Sequence, residues 1–369
     1  MPHCLYAAIN HYALGQWAAS LNYSKGKFYL YFISYGKEDE GKNILLTTTD
    51  PEGTWDMQYW PEHYYDSGWL FDDGPDGDGY VYVACGIGDI YVNKLDAKSL
   101  KKLSSTKVLS HDTKDYYNSM EGSHMYHIGD FYYLYLTTGG YYRGQQIWRS
   151  KNPMGPYEEC PYMVFENQAI HQGALVETQT GEWWTILFKD AGSIGRVPYL
   201  EPVTWTDGWP VIGNKGIDVS KNKRTYKKPN VGQSYPRTYL PTNDTFTDPE
   251  LGKQWEWNHN PDNTAWSLYE KPGFLRLHTA SVANSLDKAR NSLTQRIFGY
   301  SPEGTLATRQ YTSYGTIKMA INGGEKKPQP VIYEFDSDGI TFKRALSYTG
   351  TTTILGSSTP RAGLWMKSK

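Results

Sequence analysis

Four stretches of this chain repeat one pattern at intervals of about fifty residues, and that periodicity restricts the possible fold more than any other feature. They begin at Trp17, Asp66, Glu121 and His171, spaced 49, 55 and 50 residues apart, and read WAASLNYSKGKFYLYF, DSGWLFDDGPDGDGYVYVAC, EGSHMYHIGDFYYLYLTT and HQGALVETQTGEWWTILF. Each runs from a polar or aromatic residue through small residues into a short apolar strand, a glycine turn and a strongly apolar strand. Two weaker strand patterns follow each pair: NILLTTT and TWDMQYW, then DIYVNKLD and STKVLS, then QQIWRS and YMVF, then RVPYLEPVTW and WPVIG. Four strands per unit, rich in β-branched and aromatic residues and broken at Gly, Asp and Pro, are the signature of a β-propeller blade.

A propeller also tells where chemistry would collect. The first strand of each blade lies innermost, beside the central channel, so equivalent ends of these strands converge near the axis. Trp17, Asp66, Glu121 and His171 are therefore expected to meet there, although each is more than 45 residues from the next. Taken singly, each has a plain structural reading: Asp66 as a turn cap, Glu121 as a solvated loop acid, His171 as a satisfied structural imidazole. Their shared place in the repeat favours a reactive site of two carboxylates, an imidazole and an indole.

Composition removes several classes of function. The 37 basic and 39 acidic residues are interspersed and leave a net charge of -2, so no nucleic-acid surface is expected. Cys4, Cys85 and Cys160 show no C-x-x-C spacing and cannot all pair, which argues against a metal cluster and a disulfide framework. No apolar run approaches the ~18 residues of a membrane-spanning helix, and no membrane partner is expected. The segment MPHCLYAAINHYALGQW lacks the basic region and apolar core of a signal peptide. The 32 Tyr, 13 Trp and 11 Phe are expected mainly to fill space between sheets, but the excess of Tyr and Trp leans toward a surface for polar, ring-shaped ligands.

The segments GQWAASLNYSKGKFYLYF, DSGWLFDDG, EGSHMYHIGDFYYLYLTTGG, RSKNPMGPYE, HQGALVE and GRVPYLEPVTWTDGWPVIG together resemble glycoside hydrolase family 43, over roughly residues 15–300. The resemblance implies an all-β chain, a five-bladed propeller followed by a β-sandwich, that hydrolyses xylose- or arabinose-containing saccharides with inversion. It implies three carboxyl groups around the axis: an Asp general base, a tuning Asp and a Glu general acid. By motif, Glu121 matches the acid and Asp66 the tuning aspartate. A neighbouring carboxylate raises the pKa of an acid by like-charge repulsion, and an acid–base separation of about 6.5–9.5 Å admits the attacking water. Arg196 matches the arginine that binds the sugar, Trp17 a stacking wall of the pocket, and His171 an axial histidine that lines the substrate channel and holds a hydrated structural Ca2+. Calcium prefers oxygen, so such a histidine acts through bound water. No organic cofactor is implied.

The same resemblance places the general base upstream of GQWAAS, where 14 residues precede Gly15. The acidic residues before that first turn ends are Glu38, Asp39 and Glu40 in KEDEGK, and Asp50 opens the next turn; none stands at an inner-strand position. The expectation is a propeller whose first blade is missing or incomplete, with no general base in this chain, and a secreted or periplasmic full-length parent.

Residues 1–225 are assigned to the propeller, 226–243 to a basic, Pro- and Asn-rich linker, and 244–369 to a β-sandwich accessory domain. Beyond Arg296 the strand pattern is short and irregular, so the sandwich is expected to be incomplete. Trp255, Trp257 and Trp266 are expected to pack between the domains rather than bind sugar. Three readings follow: a β-xylosidase or α-L-arabinofuranosidase, a carbohydrate-binding remnant of such an enzyme, and a propeller serving only as a protein-interaction platform. The last leaves Asp66, Glu121 and His171 unexplained.

Overall fold

A computed structural model of the chain describes residues 15–35, 42–110, 120–138, 144–162, 170–190, 196–213, 226–236, 238, 244–257, 260–278 and 290–296, together with strands between 309 and 364. No helix occurs among the described residues. The first sheet holds β1 (Gly15–Ser24), β2 (Lys27–Tyr35), β3 (Lys42–Thr48) and β4 (Asp56–Tyr59), and the second holds β5 (Gly68–Phe71), β6 (Val81–Cys85), β7 (Ile90–Leu95) and β8 (Lys102–Leu109). The third holds β9 (Met120–Ile128), β10 (Phe131–Thr138), β11 (Gln145–Ser150) and β12 (Glu158–Glu159), and the fourth β13 (Ile170–Glu177), β14 (Trp183–Asp190), β15 (Arg196–Thr206) and β16 (Trp209–Ile212).

Each repeat thus becomes one four-stranded meander, with its strands hydrogen-bonded in chain order, and the meanders pack as propeller blades. The outer strand of the third blade is Glu158–Glu159, ahead of the YMVF segment expected to form it; residues 163–165 of that segment lie outside the described residues. A β-sandwich follows the propeller. Its described strands are β17 (Glu256–Trp257), β18 (Trp266–Ser267), β19 (Arg276–Leu277), β20 (Leu293–Arg296), β21 (Arg309–Thr312), β22 (Thr316–Met319), β23 (Val331–Phe335), β24 (Phe342–Ser347) and β25 (Arg361–Leu364). They form a β17–β20–β25 sheet and three hairpins. The chain divides into a unit of Met1–Asp190 with Val197–Ser234 and a unit of Tyr235–Lys369 with Ala191–Arg196.

The blades hold together because successive side chains of a strand point to opposite faces. On β2, Tyr31 and Ile33 join Trp69, Val81, Val83 and Leu95 between the first and second blades, while Phe32 turns the other way to Ile44 and Leu46. On β6, Tyr82 and Ala84 face the third blade instead, meeting Met120, Met125, Leu134 and Leu136. On β10, Tyr133 and Tyr135 then face the fourth blade, against Leu175, Leu187, Val203 and Trp209. A blade flanked on both sides therefore needs apolar residues at nearly every position of its second strand, which is what YVYVAC and FYYLYLTT supply. Each fully buried large apolar side chain contributes about 1.5–3 kcal/mol to this assembly.

Tyrosine dominates these interfaces for a specific reason. Tyr31, Tyr82, Tyr133 and Tyr135 are all at most 1% exposed, yet each hydroxyl finds a partner. Tyr31 accepts from the Tyr64 amide at 3.3 Å, Tyr82 donates to Asp78 at 2.5 Å, Tyr133 donates to the Gly208 carbonyl, and Tyr135 meets Thr185 Oγ1 at 3.1 Å. A ring fills the wedge while its polar tip pins a loop or the next blade. These four tyrosines are thus structural, whereas Tyr23, Tyr59 and Tyr91 remain exposed on the blades. Asp72 does similar work from a loop: 3% exposed, it takes Tyr132 OH and His127 Nδ1, both at 2.7 Å, and so ties the second blade to the third.

Tyr226–Asn230, at the start of the expected linker, is bound to the fourth blade. Tyr226 donates to Glu201 at 2.5 Å, and burial raises the pKa of that carboxyl. Asn230 completes the attachment, with its amide on Glu182 at 2.8 Å and its carbonyl taken by Thr180 at 2.7 Å. In the second unit, Trp257 lies 5.3 Å from Trp266, and Trp255 stacks with Phe246 at 5.8 Å while its indole N–H bonds to Asp244 at 2.8 Å. These three indoles, expected between domains, have packing partners within their own unit.

Inner strands of neighbouring blades approach most closely at Gly68. A Cβ there would lie 2.3 Å from the Ser123 carbonyl oxygen and 2.5 Å from His124 Cα, both backbone atoms that cannot swing away. Gly68→Ala is therefore expected to cost about 3 kcal/mol or more by forced separation of two blades, read as a lower urea midpoint. A midpoint within error of the parent would show that the blades are not held at this spacing.

Candidate active site

Three of the four inner strands carry the same irregularity at the same place, and the second blade has a positive-φ residue at the matching point. On β1 the pairing skips from Trp17↔Ile33 to Ser20↔Tyr31, on β9 from Glu121↔Thr137 to His124↔Tyr135, and on β13 from His171↔Phe188 to Ala174↔Ile186. Two residues of the inner strand thus oppose one of its partner, a β-bulge, and the first of the two has positive φ: Ala18 at 48°, Gly122 at 63° and Gln172 at 49°. On the second blade, pairing begins at Gly68↔Ala84, the Gly86 amide donates to the Tyr65 carbonyl at 2.9 Å, and the positive-φ residue is Asp66 at 49°.

This alignment refines the sequence repeat. Trp17, Tyr65, Glu121 and His171 are the equivalent residues, each directly before the bulge, and Asp66 stands one position later, on the bulge itself. A one-residue shift changes which way a strand residue is directed, and at a bulge the left-handed backbone sets that direction. Asp is well suited to such a position because its short polar side chain tolerates φ > 0, whereas Ala18 and Gln172 are held there at a cost of about 1–2 kcal/mol each. Tyr65 was missed in the sequence because a bulge on Asp has no strand-pattern signal.

The bulges lie side by side. The Ser123 amide, two residues past Glu121, donates to the Asp66 carbonyl at 3.0 Å, joining the two carboxylate-bearing segments through the backbone. A Cβ on Gly122 would meet Gln172 Cγ at 3.3 Å, so the Glu121 bulge packs on the residue after His171, and glycine takes the φ of 63° there without strain. Trp69 N–H reaches Ser20 Oγ at 3.2 Å, and Leu175 N–H reaches Tyr126 OH at 2.9 Å, completing the links from first blade to fourth.

Asp66 and Glu121 are partly exposed, Trp17 is 46% exposed, and His171 is 2% exposed with its ring 4.6 Å from Phe188. His124, on the strand just past the Glu121 bulge, is pushed down to about 4 by desolvation and is neutral at physiological pH. Arg196 is exposed and opens β15, the third strand of its blade, so it is not a member of the inner-strand row. Asp50 follows β3 in a turn, where its carboxylate takes the Glu52 amide at 3.0 Å, and Glu38, Asp39 and Glu40 lie outside the described residues. Among the described residues no three His, Cys, Asp or Glu side chains converge to hold a metal ion. His171 alone is a nitrogen donor, which does not fit a calcium ion held by direct protein ligands.

Comparison with known proteins places this geometry. Residues 7–210 match the profile of glycosyl hydrolases family 43, and residues 243–308 match the beta xylosidase C-terminal Concanavalin A-like domain. A beta-xylosidase of Formosa agariphila is 33% identical over 79% of this chain and 57% of its own length. A non-reducing end alpha-L-arabinofuranosidase, BoGH43B of Bacteroides ovatus, is 33% identical over 73% of this chain and 52% of its own. The chain thus spans little more than half the length of these relatives. Among solved structures, the bifunctional GH43-CE protein of Bacteroides eggerthii superposes with a TM-score of 0.67 at 28% identity, covering 92% of this chain and 45% of that one.

If the bulge at Asp66 depends on backbone shape, Asp66→Asn should leave stability within about 0.5 kcal/mol, because Asn also accepts φ > 0, while Asp66→Leu should lose about 1–2 kcal/mol. Chemical denaturation of the two variants decides this: equal losses would mean that the charge, not the conformation, holds the bulge.

Proposed function

The chain belongs to glycosyl hydrolases family 43, and from that premise we propose that it hydrolyses glycosidic bonds in xylose- or arabinose-containing saccharides by an inverting acid–base reaction. One observation carries the reading: the Ser123–Asp66 backbone bond, which brings the segments that bear Asp66 and Glu121 side by side. The named xylosidase and arabinofuranosidase activities of the relatives support the substrate class.

In this reading Glu121 is the general acid. Its carboxyl donates a proton to the glycosidic oxygen as the bond from that oxygen to the anomeric carbon breaks. A water attacks the opposite face of the carbon and gives its proton to a general base, a role assigned to no residue of this chain. Asp66, on the segment beside it, takes the role of the neighbouring carboxylate that tunes such an acid by like-charge repulsion. Trp17, with nearly half its surface open, offers an apolar face against which a sugar ring can stack. Arg196 binds sugar hydroxyl groups at the rim. His171, almost wholly buried, offers little surface to a sugar and serves to shape the channel behind its bulge.

Turnover of p-nitrophenyl β-xylopyranoside, p-nitrophenyl α-arabinofuranoside and xylobiose tests the proposal. Glu121→Gln should lower kcat on xylobiose, a poor leaving group needing protonation, by about 10²–10⁴, with a much smaller effect on the aryl glycosides. Binding of xylobiose should be retained; equal loss of binding and turnover would assign Glu121 a structural role instead. A second reading is a carbohydrate-binding remnant of such an enzyme, since Asp66 and Glu121 are the two carboxylates at the aligned bulges among the described residues; retained binding with no turnover by the parent chain would select it.

Arg196→Ala gives an independent check. It should weaken xylobiose binding by about tenfold or more, the loss of a charge-assisted hydrogen bond, with an unchanged melting temperature. A fall in melting temperature with unchanged affinity would remove Arg196 from the sugar site.

A further inference from the structure

We infer that Gln145 is a positioning residue for the candidate site, holding the Glu121 bulge and the His171 bulge at a fixed spacing through the two ends of one buried carboxamide. The inference rests on the reading of Glu121 as the general acid, but its structural part stands on contacts within the propeller.

Gln145 opens β11 and is 1% exposed. It pairs with Thr137 on β10, and Thr137 pairs with Glu121 on β9, so the three residues form one row across the third blade. Its Nε2 donates to the Leu136 carbonyl at 2.6 Å. Leu136 is the residue that faces the β9 bulge, since pairing there skips from Thr137↔Glu121 to Tyr135↔His124. Its Oε1 accepts the Gly173 amide at 2.7 Å. Gly173 is the second residue of the β13 bulge, between His171 and Ala174. One side chain therefore fastens the strand behind the Glu121 bulge to the bulge that follows His171, across the boundary of two blades.

The chemistry leaves no freedom in this arrangement. A carbonyl can only accept and an amide N–H can only donate, so the carboxamide is locked in one orientation. Asparagine is one methylene too short to span both partners. Leucine keeps the volume but leaves the Gly173 N–H and the Leu136 carbonyl without their partner in a buried setting. A glutamate reproduces both bonds only while its carboxyl is neutral, because an ionised one turns an oxygen toward the Leu136 carbonyl. Interactions that keep a buried network satisfied are those that set side-chain geometry closely enough for catalysis, where a shift of an ångström matters.

The test compares Gln145→Leu and Gln145→Glu with the parent chain. In Gln145→Leu the Gly173 amide should exchange about tenfold faster or more, while the amide of Val83, in the second blade, keeps its protection. The carboxyl titration of Glu121, followed by ¹³C NMR on glutamate-labelled protein, should move from its position in the parent. On xylobiose, whose leaving group needs protonation, kcat should fall about 10- to 100-fold with KM little changed. Gln145→Glu should recover parent-like exchange and titration at acidic pH, where its own carboxyl is neutral, and lose them as that carboxyl ionises. Joint acceleration of the Gly173 and Val83 amides, or an unmoved Glu121 titration, would overturn the inference. A parent chain with no turnover defeats the proposed function and leaves Gln145 to be decided by the exchange and titration data alone.

Discussion

The structure depends on the burial of blade against blade on both faces. Because side chains alternate along a strand, Val81 and Val83 secure the second blade to the first, and Tyr82 and Ala84 secure it to the third. The second and third blades take their cores from the neighbours on either side, since a four-stranded sheet becomes stable when its faces are covered. The same requirement brings inner strands together closely enough that Gly68 can bear no side chain. Proximity of the inner-strand ends, and with it the site, is a consequence of this packing.

On that frame the bulges do the directing. Regular strands would present their residues in strict alternation, and the inner strands would offer the channel a uniform row. A left-handed residue at Ala18, Asp66, Gly122 and Gln172 breaks the alternation in every blade at one level. Three of these four residues are not glycine, so conformational strain is concentrated where chemistry is proposed, as is common at functional sites. The neighbouring blade stabilises it: the Asp66 carbonyl takes Ser123 N–H, and Gly173 N–H is taken by Gln145. Buried hydrogen bonds that would be costly to lose thus hold a backbone that is costly to form.

Tyrosine links these two levels. Its ring fills the interblade wedge, and its hydroxyl reaches a loop, a neighbouring sheet or a buried carboxylate, as with Tyr133 on Gly208, Tyr126 on Leu175 and Tyr132 on Asp72. Phenylalanine would fill the same space and leave those groups unpaired. Many of the described aromatic rings are therefore buried inside the propeller, whereas Trp17 and Tyr23, both on β1, are inner-strand rings that remain open to solvent.

Blade length, strand number and the order of the strands within each blade were legible in the amino-acid order, because hydrophobic alternation and glycine turns are local signals that recur with the repeat. The repeat also drew attention to Asp66, Glu121 and His171 as residues of the inner strand and its approach in successive blades, for the same reason. Their exact phase was not legible. Asp66 sits one residue beyond the position of Glu121 because a bulge intervenes, and a bulge on Ala, Asp or Gln leaves no mark in a hydrophobic pattern. Tyr65 and Gln145 were equally silent: one is placed by that bulge, the other by two hydrogen bonds to residues 9 and 28 positions away. Local order determined which segments become blades and which residue types the inner strands carry; only the tertiary structure decided their alignment, because that depends on how one blade's backbone meets the next.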